Sequence, residues 1–259
     1  MTAARPIFRA AYADADSGQV HYTRLLGRDE SLAPVVFINP RSRSCREAAH
    51  RLACNRPSFI IDVPGFGLTS IPPEGASMQD VAAAIACVFA QERISKALLC
   101  GVHTGAKVTA ALTLTRPDLV VGQILAGKSH SLIPNREARN RAMQAQVSKQ
   151  MPDVILVGLE SFVADDPDRR VGMSRMYEAN FAFDFADAIA RTERPTMILE
   201  FISDDEDTAH GRQAEALAAR TRKGSWMALP EKEAMGTALY VGVDAVVRLL
   251  DAFCQECGL

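Results

Sequence analysis

The apolar positions of the chain come in short runs separated by segments of helical spacing. Residues 8–12 and 20–25 are β-type runs joined by the turn-rich Asp14-Ala-Asp-Ser-Gly18, which predicts an antiparallel hairpin at a sheet edge. The run 35–38 stops at Asn39-Pro40, and the run 59–62 stops at Pro64-Gly65-Phe66-Gly67. Unbroken apolar runs of this length suit parallel strands buried on both faces. Residues 46–54 fit a short helix. Residues 78–92 repeat Ala, Val, Ile and Phe at helical spacing behind Ser77, whose hydroxyl suits an N-cap.

A third apolar run, 97–100, stops at Gly101, and a helix of small residues is predicted over 105–114, followed by a strand over 120–125. Strands alternating with helices at this interval predict a right-handed parallel sheet covered on both sides. The alternation breaks over 129–189, which is mostly helical and richer in Met, Gln, Asn and Arg. It resumes with strand 196–201, helix 210–220, strand 225–229 and a closing helix 243–253. A helical insertion that leaves a sheet and returns to it is expected to be a lid. The expected organisation is therefore a core domain of residues 1–128 and 190–259 with a cap of residues 129–189.

The 259 residues carry a formal charge of −2 and an isoelectric point near 6.2, so there is no basic field for nucleic acid or an anionic membrane. The N-terminus has no apolar signal core and no stretch is long enough to span a bilayer, which predicts a soluble, cytoplasmic protein. The six scattered cysteines fit reduced thiols. Cys254 and Cys257 form a C-x-x-C without a second pair or a histidine, so neither zinc nor redox chemistry is expected there. No metal-ligand spacing, dinucleotide fingerprint or phosphate loop occurs, and no cofactor is expected. A small-molecule substrate is the expected partner; a homodimer is compatible with the sequence.

Gly101-Val-His-Thr-Gly105 joins a strand to a helix through a turn flanked by glycines. It has the frame of a G-x-S-x-G nucleophile elbow with His103 in the serine position. Together with the hairpin, Asn39-Pro40 after the third strand, Asp62-Val-Pro-Gly-Phe-Gly67 as D-x-x-G-x-G, and the helical insertion, this resembles the α/β-hydrolase superfamily over nearly the full length. The resemblance implies an α/β-hydrolase fold: a mostly parallel eight-stranded sheet flanked by helices, with the site at the carboxyl ends of the strands beneath a lid.

The resemblance also implies roles, with departures. A Ser-His-acid triad needs a hydroxyl, an imidazole and a carboxylate. His103 replaces the hydroxyl residue, and no histidine lies beyond His210. The acid position falls in Ser203-Asp-Asp-Glu-Asp207, with Asp204 or Asp205 as the match. The oxyanion hole falls on the backbone of Thr104 and on the loop that begins at Pro40.

His103 fits a general base, an acid or a covalent nucleophile, because a neutral imidazole is available near working pH; a relic of lost activity is the alternative. Arg41 or Arg43 suits a two-point clamp on a carboxylate or phosphate, with Ser42 between them as a further candidate substrate contact, against a solvated basic loop. Ser42 or Ser44 is a candidate displaced nucleophile with His103 as its base, ahead of Cys45. His130 is placed where the lid begins and is a candidate substrate contact. His21, His50 and His210 fit structural or surface roles, and Tyr177, Phe181, Phe183 and Phe185 either line a pocket or pack.

Three functions follow. The first is a cofactor-free enzyme with a non-standard site acting on a small carbonyl compound, with hydrolysis of an ester, lactone or carbon–carbon bond, or lyase or isomerase chemistry. The second is a noncatalytic receptor or carrier with a lidded pocket. The third is a structural partner that has lost the triad.

Overall fold

The computed structural model describes residues 7–40, 45–127, 137–138, 141, 167–202, 212–230 and 243–259. Eight strands form one sheet: β1 (Phe8–Ala15), β2 (Gly18–Leu25), β3 (Val35–Asn39), β4 (Ser58–Asp62), β5 (Ala97–Val102), β6 (Val120–Ala126), β7 (Thr196–Ile202) and β8 (Gly224–Pro230). Their spatial order is β1-β2-β4-β3-β5-β6-β7-β8. The hairpin is antiparallel and β2 meets β4 antiparallel, while every later pair is parallel. The carboxyl ends of β3, β4 and β5 therefore lie side by side, with Asn39 opposite Asp62 and Ile38 opposite Gly101.

The central strands are buried on both faces, and their pleat divides the core in two. On β3, Val36 and Ile38 join the cluster beneath α2 (Met78–Gln91) and α3 (Thr104–Thr115), while Val35 and Phe37 join the cluster beneath α1 (Arg46–Leu52). Strict alternation through the four-residue apolar run is what a parallel strand between helix layers requires. Ser77 and Asp80 close a reciprocal capping box on α2: Ser77 Oγ accepts from the Asp80 N–H at 3.2 Å and Asp80 Oδ2 accepts from the Ser77 N–H at 2.8 Å. A cap of this kind stabilises a helix by about 1 kcal/mol.

Element boundaries differ from the sequence expectation where small residues sit. The hairpin ladder runs to Ala15 opposite Gly18, so the turn shrinks to Asp16-Ser17, and Gly18 supplies the positive φ of +120°. β5 continues through Gly101 to Val102, because the ladder to β6 is kept there. α3 begins at Thr104, one residue earlier than expected. The helix expected over 210–220 is described only as α6 (Ala214–Ala218).

In the segment expected to be a lid, two helices are described after residue 166, α4 (Pro167–Ala182) and α5 (Phe185–Arg191). Met176, Ala179, Phe183, Phe185 and Ile189 share the core cluster of α2 and α3. Lys107 Nζ on α3 donates to the Asn180 carbonyl at 2.7 Å, and Arg175 donates to the Pro72 carbonyl at 3.1 Å. On the opposite face of the sheet α7 (Val243–Glu256) buries Val246, Leu249, Leu250 and Phe253, the i, i+3, i+4, i+7 stripe of an amphipathic helix. No helix among the described residues is long and apolar enough to cross a membrane.

Candidate functional site

The chain turns between β5 and α3 on a single residue. His103 has φ 52° and ψ −120°, a conformation that costs a non-glycine residue about 1–3 kcal/mol. Two hydrogen bonds hold it there: the His103 N–H donates to the Ala126 carbonyl on β6, and the His103 carbonyl accepts from the Ala106 N–H, both at 2.9 Å. Its side chain is exposed while its neighbours Val102 and Thr104 are buried.

The flanking glycines are required by contact as well as by the turn. A Cβ on Gly105 would lie 1.9 Å from the Ile38 carbonyl oxygen, and a Cβ on Gly101 would lie 2.3 Å from Thr109 Oγ1 and 2.4 Å from the Gly105 carbonyl oxygen. The first turn of α3 is thus pressed directly onto the end of β3. Thr104, 7 % exposed, is the first residue of this 12-residue helix. Its N–H belongs to the first helical turn, whose donors have no intrahelical acceptor and which favours an anion.

Around the imidazole lie two residues the sequence did not single out. Gly127, at φ +107°, follows β6, and Phe201 on β7 meets the His103 ring edge to face at 6.0 Å between centroids. A signal for Gly127 was its place directly after an apolar strand; Phe201 had none beyond being an apolar strand residue.

Other candidates fall as follows. Pro40 is half-buried directly after β3 and has no N–H, so, contrary to expectation, it cannot itself donate to an oxyanion. Beneath this point Asn39 Nδ2 donates to Cys45 Sγ at 3.2 Å, both residues being buried. Arg41, Ser42, Arg43, Ser44, His130, Asp204, Asp205 and His210 lie outside the described residues. The aromatics of α4 and α5 and of their connection divide: Phe183 and Phe185 are core, whereas Tyr177 and Phe181 stack at 6.0 Å and Tyr177 meets Phe66 of the D-x-x-G-x-G loop edge-on at 6.1 Å.

The Asp62 loop does a structural job. Asp62 Oδ2 accepts from the Leu68 N–H at 3.1 Å and lies 2.8 Å from His21 Nδ1, and the Asp62 carbonyl accepts from Thr69 Oγ1 at 2.8 Å. Gly67, at φ +56°, faces Asp62 so closely that a Cβ would lie 2.0 Å from Oδ2. Gly65 touches Gly172 of α4 backbone to backbone, a Cβ at 65 falling 2.5 Å from the Gly172 carbonyl oxygen. The D-x-x-G-x-G motif thereby fastens the hairpin, the sheet and α4 together.

None of the six cysteines, all of them among the described residues, is in a disulfide. Burial raises the Cys100 thiol far above its ordinary range, pushes Cys254 up to about 11 and raises Cys257 as well, which disfavours the thiolate at each. No group of three or more metal-ligating side chains occurs among the described residues.

No family model matches the chain, and no curated protein matches it. Solved structures do. A thermophilic esterase from Thermogutta terrifontis is 18 % identical with a TM-score of 0.65, covering 97 % of this chain and 99 % of its own. The enol-lactonase from Burkholderia xenovorans LB400 is 16 % identical with a TM-score of 0.70, covering 95 % and 100 %. E-2-(acetamidomethylene)succinate hydrolase is 16 % identical with a TM-score of 0.71, covering 96 % and 100 %. Strand order, the turn at His103 and these likenesses agree: the chain has the α/β-hydrolase fold.

Proposed function

We propose that the protein is a cofactor-free hydrolase of small esters or lactones in which His103 takes the place of the nucleophile. The observation that carries this reading is the strained elbow itself, which holds an exposed imidazole at the carboxyl edge of the sheet beside the first turn of α3. In this mechanism the imidazole removes a proton from water as the oxygen attacks the substrate carbonyl. The Thr104 N–H then donates to the developing oxyanion, and the imidazolium returns its proton to the leaving alkoxide. An aspartate at 204 or 205 orients the imidazole or a partner group, and Arg41, Arg43 and His130 bind a substrate carboxylate. Similarity to an esterase and a lactonase supports the choice of substrate class.

The test is turnover of aryl esters and lactones by the wild-type protein and by His103→Ala, each checked for folding. Loss of at least 100-fold in kcat in the variant is the expected result. Mass spectrometry of the quenched reaction separates water activation from direct attack, because attack by His103 leaves an acyl-imidazole. Equal rates in both proteins overturn the His103 mechanism. No turnover in either, with small carbonyl compounds still raising the melting temperature, assigns the fold to a receptor or carrier.

A further inference from the structure

We infer that Gly127 and Phe201 are positioning residues for His103, forming a slot that fixes the imidazole and leaves Nε2 as the nitrogen facing substrate. This rests on the reading of His103 as the working group.

The slot is built from three adjacent strand ends. The His103 N–H donates to the Ala126 carbonyl, and the Gly127 N–H donates to the Leu199 carbonyl on β7, both at 2.9 Å. These bonds tie the backbones of residues 103 and 127 to one frame. A Cβ on Gly127 would find His103 Nδ1 at 2.8 Å, the His103 backbone nitrogen at 3.2 Å and Cε1 at 3.3 Å as its three nearest atoms. The Nδ1–Cε1 edge therefore rests on bare backbone that only glycine leaves open, and Nε2 lies farther off. Phe201, 4 % exposed, closes a second side at 6.0 Å and 66° between ring planes, a favoured edge-to-face geometry. An imidazole on a bare turn would sample several rotamers; this one has walls.

Chemistry explains why the walls matter. A serine hydroxyl reaches its carbonyl from Cβ through one bond, and rotation about that bond alone aims it. Imidazole is longer and has two nitrogens, only one of which is directed at a given water or carbonyl. Proton transfer requires heavy-atom distances of about 2.6–3.2 Å, so a small rotation of the ring removes the geometry. Placing glycine after β6 and a phenyl ring on β7 selects one nitrogen without adding a charge.

The test compares Gly127→Ala and Phe201→Leu with the wild-type protein, using His103→Ala to assign the His103 ring signals in long-range proton–nitrogen NMR spectra. Both variants, once shown to be folded, are expected to change the tautomer ratio and ring shifts of His103. Both are also expected to lower kcat at least tenfold with KM changed less than twofold. Gly127→Ala is strained at φ +107°; should it fail to fold, Phe201→Leu decides alone. His103 signals that match wild type in the folded variants overturn the slot, whatever the kinetics. The spectra need no substrate, so an absence of ester or lactone turnover sinks the hydrolase reading and leaves the slot still decided by the ring signals.

Discussion

His21 and Asp62 meet across the antiparallel pair of β2 and β4, with Nδ1 2.8 Å from Oδ2 and both side chains buried. The pair is remote from the elbow. Strands β4 and β3 stand between β2 and β5, which at about 4.8 Å per strand separates His21 from His103 by roughly 14 Å. The same carboxylate oxygen accepts the Leu68 N–H, so the contact closes the loop that carries Gly65 and Gly67. His21→Ala is expected to lower unfolding stability by about 1–3 kcal/mol, because a buried acceptor loses one of its donors. Turnover below the melting transition should stay near wild type. Urea unfolding and ester hydrolysis measured on one preparation check both halves, and a loss of turnover without a loss of stability would place His21 in the chemistry.

The sheet and the elbow were legible in the sequence because period and punctuation encode them directly. Runs such as 35–38 can be buried only on both faces, and Gly101 and Gly105 mark the turn on either side of His103. Cross-strand facts were not legible. His21 reads as an ordinary edge-strand residue until the register sets it beside Asp62, and Phe201 reads as core until β7 is placed near β5. Gly172 illustrates the same limit: inside a helical pattern it reads as a weak point, yet its partner is the backbone of Gly65, more than a hundred residues earlier.

Gly105→Ala separates local propensity from packing. Alanine is favoured over glycine in a helix by about 1 kcal/mol, and that preference alone predicts a more stable protein. The new Cβ would fall 1.9 Å from the Ile38 carbonyl oxygen, which is backbone of a central strand and cannot swing aside. Overpacking of this kind costs about 1–3 kcal/mol or more, so packing wins. The expected outcome is a lower melting temperature together with reduced turnover, since α3 must retreat and carry Thr104 with it. A melting temperature equal to or above wild type would show that α3 does not rest on β3 as described.

Tyr22 sets an alkaline limit. Burial, then its hydrogen bond to Glu92, push the Tyr22 phenol up to about 12 from its ordinary value of 10.0. The folded protein therefore holds this proton more tightly than the unfolded chain. Its contribution is complete below pH 10 and is lost as the pH rises through about 12, which amounts to at most about 3 kcal/mol. Unfolding free energies of wild type and Tyr22→Phe measured from pH 8 to 12 should run parallel up to about pH 10. The wild-type curve should then fall more steeply. Curves that stay parallel throughout would show that Tyr22 ionises as freely in the fold as in the open chain.

The backbone at His103 carries the clearest trade between stability and function. A side chain at φ 52° and ψ −120° costs about 1–3 kcal/mol, and glycine would remove that cost while adding about 0.5–1 kcal/mol of chain entropy to the unfolded state. The strain is the larger quantity, so His103→Gly should be more stable than His103→Ala by about 1 kcal/mol, with both inactive if the imidazole works. Comparing the two variants cancels the loss of ring contacts with Gly127 and Phe201, which both substitutions remove. Thermal denaturation of the three proteins reads the strain, and ester turnover reads the function. A glycine variant that is stabilised and catalytically silent would mean that the turn holds an unfavourable conformation for the sake of the imidazole. A glycine variant no more stable than alanine would mean that the surrounding hydrogen bonds, from Ala106 to His103 and from His103 to Ala126, already absorb the strain, and that the turn holds the imidazole at no cost to the fold.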